Sequence, residues 1–312
     1  MFESSAAGGR ERSAPVSFTA ESPRRGNLAT LPDFPFPVAA SRGAKRAARR
    51  IAERALAAYT QLDRTLGVRP ALSLQVLARS DWSAYASAAA YGVVHDGDDD
   101  DLVVGAEPAD AWHTVSAHFA DRLTPAACAR LCEVHGVDVV NGRGPALDAL
   151  AETLIAHELA HRLARDEGIA FPRRWLAEAF ANLALVVVLG ETDPAGLHLV
   201  GSLAEAAATL DDDLPTLAEF ETQFGRMDVA RSVQAELMIT RAAYAAYAQH
   251  GAVVLARFHA ALAAPRDARD ADYELGRMLA ARVHPAIAAI PGRFAPREAP
   301  RSPNPLTKGE IA

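Results

Sequence analysis

The 312 residues include only two cysteines, too few for a disulfide framework. Cys128 and Cys132 stand at i and i+4, which does not fit a C-x-x-C metal or redox motif. They read as buried thiols in a reducing compartment rather than as a second metal site with His135. Positive charge is also scarce: 32 Lys and Arg against 39 Asp and Glu leave a formal net charge of −7. With a sequence pI near 5.8, this argues against a nucleic-acid-binding surface as the main business of the chain. The longest apolar run, Ala179 to Leu189 broken only by Asn182, falls short of the ~20 residues a membrane helix needs and reads as a buried core helix. Met1 to Arg10 contain no apolar run long enough for export, so the cytoplasm is the default expectation. No repeat at a fixed period is evident.

What is present is ample apolar material. Hydrophobic residues make up 50% of the chain, enough for one large core or two smaller ones. Residues 1–37 read as a disordered or extended N-terminal segment, rich in Ser, Gly, Arg and Pro, with three prolines between Leu31 and Pro37. Folded structure is expected over 38–290 and a Pro- and Arg-containing disordered tail over 291–312. A helix over about 44–66 carries Ile51, Ala55, Tyr59, Leu62 and Leu66 as its buried stripe, with Arg42, Lys45, Arg46, Arg49 and Arg50 on a solvated face. Alternation predicts a strand in Ala71–Ala78. Tyr91–His95 and Leu102–Gly105 flank the acidic run Asp96–Asp101 as a hairpin; that run lacks the ligand spacing of an EF-hand and reads as a solvated tip. From about 107 onward the periodicity is helical: 107–120, 124–135, 145–165, 173–190, 196–210, 215–224, 228–250, 252–264 and 269–283. Asp211–Asp213 reads as a loop and helix-start signal.

Within the predicted helix 145–165 lies His157-Glu158-Leu159-Ala160-His161. Leu150, Leu154, Ile155, Leu159 and Leu163 recur at helical spacing with no internal Gly or Pro. Positions i and i+4 share one helix face, so both imidazoles can converge on one ion, while Glu158 points to the side, where a general base can work without being a ligand. Catalytic zinc normally has three protein ligands. The next predicted helix offers a candidate in Glu178, a carboxylate flanked by Ala177, Ala179 and Phe180 and costly to bury unpaired. Asn182 follows one turn later and is placed to accept a hydrogen bond from the distal ring nitrogen of a ligand histidine, with His157 as the expected donor. The alternative for Asn182 is a helix cap or a buried amide satisfied by backbone.

HELAH followed by Trp175-Leu-Ala-Glu178-Ala-Phe-Ala-Asn182 resembles the gluzincin branch of zinc metallopeptidases, and within it the bacterial peptidase-MA-like group. The resemblance is specific over roughly residues 145–190. It implies one Zn2+ held by His157, His161 and Glu178, with Glu158 as general base and proton shuttle. It also implies an α+β zincin-like fold: an N-terminal α+β part to about 143 with a small mixed sheet, the two motif helices over 145–190, and a helical part over 191–290. In such enzymes an edge strand above the metal pairs with extended substrate, and Leu102–Gly105 is the expected edge. The family further places an aromatic hydroxyl or imidazole on a later helix to face the developing oxyanion. Here that donor falls to Tyr244, Tyr247 or Gln234; for the two tyrosines, packing of an amphipathic helix is the competing reading. The expected partner is a peptide or protein substrate, with neither nucleic acid nor membrane. A catalytically weak or inactive metal-binding module of the same fold is the alternative, and hydrolysis of another amide or ester is a third reading.

Overall fold

A computed structural model of the chain describes residues 28–86, 90–96, 101–135, 147–210, 214–263 and 272–294. The expectations for residues 1–27, the hairpin tip 97–100, the cysteine side chains, 211–213 and the tail beyond 294 lie outside the described residues. The elements run β1 (Ala29–Thr30), β2 (Val38–Ala40), α1 (Lys45–Leu66), β3 (Leu74–Leu77), α2 (Arg79–Tyr85), β4 (His95–Asp96), β5 (Leu102–Gly105), α3 (Asp110–Arg122), α4 (Pro125–His135), α5 (Asp148–Thr153) and α6 (Ile155–Asp166). They continue as α7 (Arg174–Thr192), α8 (Pro194–Ala207), α9 (Leu217–Gln223), α10 (Val229–His250), α11 (Val253–Ala263), α12 (Asp272–Arg282), α13 (Pro285–Ala288) and α14 (Ile290–Arg293). The chain is therefore α+β and mostly helical, with its small mixed sheet in the N-terminal half.

The sheet runs β1-β2-β3-β5-β4. Its centre, β2-β3-β5, is parallel, and the outer strands β1 and β4 pair antiparallel. This corrects the expected edge. Leu102–Gly105 lies between β3 and β4, because the hairpin partner His95–Asp96 takes its outer side, with His95 opposite Val103 and Asp96 opposite Leu102. The edges among the described residues are the two-residue strands β1 and β4. Period-2 alternation divides the sheet's side chains between two cores. Leu74, Val76, Leu102 and Val104 face the main core, whereas Leu77 and Val103 face a small cluster with Trp82, Tyr85 and Ala86. Helix α2, which forms that second face, was not predicted. Nor was the packing of the lead-in to β2, where Leu31 and Phe36 are buried.

Helix α7 is the centre of the molecule. Leu176, Glu178 through Leu189 and Trp175 are all buried, so the helix is apolar all round and must be enclosed on every side. α1, α6, α8, α10 and α11 pack around it. Among the described residues α7 is the one helix long and apolar enough to cross a membrane, and most of it is buried inside the fold. The basic face of α1 is less free than its sequence suggests: Arg50 pairs with Glu152 of α5, which holds its guanidinium pKa above the usual value. At the other end, Ile290 and Phe294 are buried, with Phe294 tilted on Phe220 of α9, so packed structure runs past residue 290.

Candidate metal centre

The predicted helix 145–165 divides into α5 and α6 at Leu154. Thr153 Oγ1 donates to the Leu150 carbonyl at 2.7 Å, the same oxygen that accepts the Leu154 N–H at 3.3 Å. A hydroxyl competing for a helix carbonyl loosens the turn at that point. Beyond it α6 is regular, with Ile155, Ala156, Leu159, Ala160 and Leu163 buried. It stops at Gly168, whose φ of +67° suits glycine at a left-handed C′ position, and the Ile169 N–H closes the turn on the Ala164 carbonyl at 2.8 Å. That stop lets the chain reverse within a few residues and lay α7 against α6.

The start of α7 is held from outside. Arg173 offers no side-chain cap, but the Glu221 carboxylate of α9 accepts the backbone N–H groups of Arg174 at 2.8 Å and Trp175 at 2.9 Å. α9 is itself set by a capping box in which Thr216 and Glu219 satisfy each other's backbone N–H. An anion at a helix N-terminus also complements its dipole. Glu178 sits one turn inside this anchored end.

The two helices bring three ligand-type atoms together. His161 Nε2 lies 3.0 Å from His157 Nε2 and 3.1 Å from Glu178 Oε2, and His157 Nε2 lies 3.3 Å from the same carboxylate oxygen. Ligands held about 2.0–2.1 Å from a tetrahedral ion stand about 3.3 Å from one another, so the spacing is that of a preformed three-ligand face. The cluster could hold a metal ion. His157 and Glu178 are buried, and His161 is part-exposed. Burial pushes the Glu178 carboxyl up, but hydrogen bonds and charge from His157 and His161 outweigh it and leave the group well below the usual carboxylate range. Its second oxygen, Oε1, is 3.9 Å from Arg174 Nη1. Two imidazoles and a carboxylate are a borderline donor set that suits a divalent first-row ion. His157 Nδ1 is buried without a partner.

Asn182 does not supply that partner. Its Nδ2 donates to the Glu178 carbonyl at 2.9 Å and to Glu236 Oε2 of α10, and its Oδ1 accepts from Thr240 Oγ1 at 2.8 Å. The reason is helix packing. The face of α7 one turn beyond Glu178 meets α10, while His157 approaches from α6, so Asn182 joins α7 to α10 instead of bracing the imidazole.

The three expected oxyanion donors are likewise engaged elsewhere. α7 and α10 run side by side in the same direction, with Asn182 meeting Glu236 and Thr240 at one end and Gly190 and Glu191 meeting Tyr247 at the other. Tyr247 Oη donates to Glu191 Oε1 at 3.2 Å, about 20 Å along α7 from Glu178 at 1.5 Å per residue. Tyr244 is not brought to the cluster: its ring lies so close to Gly201 of α8 that a Cβ there would sit 2.8 Å from it. It lines a cavity of about 760 Å³ between α4, α8 and α10 that includes none of the cluster residues. Gln234 is fully buried, its amide nitrogen donating to the Leu210 carbonyl and its oxygen meeting His118 Nε2 at 3.3 Å.

Glu236 is the residue that sequence reasoning missed. Its Oε2 accepts from Asn182, and its Oε1 is buried without a partner. Burial, then the negative charges of Glu178 and Glu158, hold its carboxyl well above the usual range, against the opposing effects of Asn182 and Arg174. A signal existed, since Glu236 stands between Ala235 and Leu237-Met238-Ile239, the same carboxylate-among-apolar-neighbours pattern that singled out Glu178. Set against protein-family models, curated proteins and solved structures, the chain matches none of them.

Proposed function

We propose that this protein is a zinc-dependent hydrolase of the gluzincin type, with a zincin-like fold, that cleaves peptide bonds. The observation that carries the reading is the convergence of His157 Nε2, His161 Nε2 and Glu178 Oε2 within 3.0–3.3 Å of one another beside a carboxylate, Glu158, that the ligand set does not use. A purely structural zinc site prefers four protein ligands and has no need of that neighbour. When bound, zinc would supply Lewis acidity, polarising a carbonyl and making a water acidic near neutral pH. The residues do the rest. Glu158 takes a proton from the attacking water, whose oxygen bonds to the carbonyl carbon; as the C–N bond breaks, Glu158 returns that proton to the departing amine. General acid–base help of this kind is worth about 10²–10⁴-fold.

The test is metal analysis of purified protein together with cleavage of a mixed peptide library. The expected result is one zinc per chain in both the native protein and Glu158→Gln, with cleavage only in the former. A native protein that takes up no zinc, or a Glu158→Gln variant with the same cleavage profile, would refute the reading. A second reading, a zinc-binding module without turnover, draws on the engagement of Tyr244, Tyr247 and Gln234 elsewhere; zinc uptake with no cleavage in any library pool would select it.

A further inference from the structure

On the hydrolase reading above, the carbonyl oxygen that gains charge during water addition needs a hydrogen-bond donor, and none of the three side chains expected to supply one is available. α10 nevertheless brings one polar group toward the ligand end of α7. The Glu236 carboxyl lies across from Asn182, one helical turn from Glu178, and the Asn182 amide fixes its orientation by binding Oε2 while also holding the Glu178 carbonyl. Thr240 Oγ1, 2.8 Å from both Asn182 Oδ1 and the Glu236 carbonyl oxygen, ties the same turn of α10 to Asn182. The other carboxyl oxygen, Oε1, is buried and unpartnered. A buried polar atom without a partner is costly, and such an atom beside a ligand cluster calls for a group that arrives with the substrate.

We propose that Glu236 is a catalytic residue of this site, its Oε1 donating a hydrogen bond to the carbonyl oxygen of the scissile bond. Burial supports the donor form. An ionised carboxylate enclosed away from water close to Glu178 and Glu158 is costly, and Arg174, 3.9 Å from Glu178 Oε1, offsets only part of that cost. A neutral carboxyl bears the hydrogen that a developing oxyanion needs, and aimed donors of this kind commonly contribute about 10²–10³-fold to kcat. Asn182 also makes the geometry testable. In Glu236→Gln the amide oxygen would take the place of Oε2 and accept from Asn182, leaving the amide nitrogen where Oε1 stands, as a donor.

The experiment compares native protein, Glu236→Gln and Glu236→Ala in three measurements: zinc affinity by chelator competition, kcat and KM on a fluorogenic peptide selected with native protein, and the infrared carboxyl region of the zinc-loaded protein near neutral pH. Zinc affinity should change by less than about threefold in both variants, since Glu236 is not a ligand. Glu236→Ala should lose about 10²–10³-fold in kcat, with Glu236→Gln within about tenfold of native. A protonated-carboxyl band present in native protein should vanish in Glu236→Gln. The assignment is overturned if Glu236→Ala keeps native kcat, if Glu236→Gln is as impaired as Glu236→Ala, or if the zinc-loaded native protein lacks the band. A zinc-loaded native protein that cleaves no peptide instead removes the hydrolase reading itself, and the assignment with it.

Discussion

Adding zinc to metal-free protein should raise its melting temperature by an amount that can be worked out in advance. The three ligand atoms already stand 3.0–3.3 Å apart, close to the edge of a tetrahedral zinc site, about 3.3 Å, so little free energy goes into reorganisation and binding is to the folded state. Stabilisation then follows mass action: about 2.7 kcal/mol at 100-fold excess over Kd and about 1.4 kcal/mol for each further tenfold. An unfolding entropy of about 2.1 cal/mol/K per residue over 312 residues gives roughly 0.66 kcal/mol/K. The shift should thus be about 4 °C at 100-fold excess and about 2 °C more per decade of free zinc. Differential scanning fluorimetry against a zinc-buffer series reads this slope directly. The control is His161→Ala, whose native side chain is 26% exposed against 9% for His157; it removes a ligand with the smaller loss of packing and should flatten the series. An unchanged melting temperature across the series, or an equal shift in His161→Ala, would refute the preformed site. Because protons compete with the metal for the ligand atoms, the shift should also shrink as pH falls.

Three further outcomes concern the scaffold. Glu221→Ala leaves the Arg174 and Trp175 N–H groups at the start of α7 without their acceptor and should lower stability by about 1–2 kcal/mol in a denaturant titration; an effect below about 0.3 kcal/mol would show that the cap is dispensable. Gly92 has φ +80° and a Cβ built there would lie 2.4 Å from Ala109 Cβ, so Gly92→Ala should cost about 2–4 kcal/mol by the same measurement, from strain and overpacking together. Burial, with help from Glu107, raises the Tyr91 hydroxyl from 10.0 to about 12. Its contribution to stability is fully present below pH about 10, where the unfolded phenol begins to ionise, and is lost as pH rises through about 12. Ultraviolet titration should show a late-ionising tyrosine that is missing in Tyr91→Phe.

The legible parts of the chain were those whose information is local. α1, ending where Gly67 takes φ +71°, the strand at Leu74–Leu77 and the antiparallel hairpin onto Leu102–Val103 follow from periodicity and turn residues close in sequence, although the strand expected over Tyr91–His95 is confined to His95–Asp96, taking in Asp96 from the acidic run. So do the starts of α7, α9 and α10, within a residue or two. The convergence of His157 with His161 is a property of one helix, since i and i+4 share a face. Less visible were features that depend on which element lies alongside which. β5 is interior because β3 and β4 flank it, and sequence order along the chain does not carry sheet order. The break at Leu154 arises from one Thr153 hydroxyl competing for one carbonyl.

By itself, then, the sequence determined the chemistry on offer: two imidazoles on one helix face, a carboxylate beside them, and a second carboxylate too deep in an apolar helix to stand alone. The tertiary structure decided which groups meet. It set Glu178 Oε2 within 3.1–3.3 Å of both imidazoles, turned Asn182 toward α10, and sent Tyr244 and Tyr247 to α8 and to the far end of α7. The physical reason is that a helix side chain's neighbours depend on the rotation and register of the helix packed against it, which the summed packing of the whole core fixes. The parallel register of α7 and α10 thereby placed Glu236, and not a tyrosine, beside the ligand cluster.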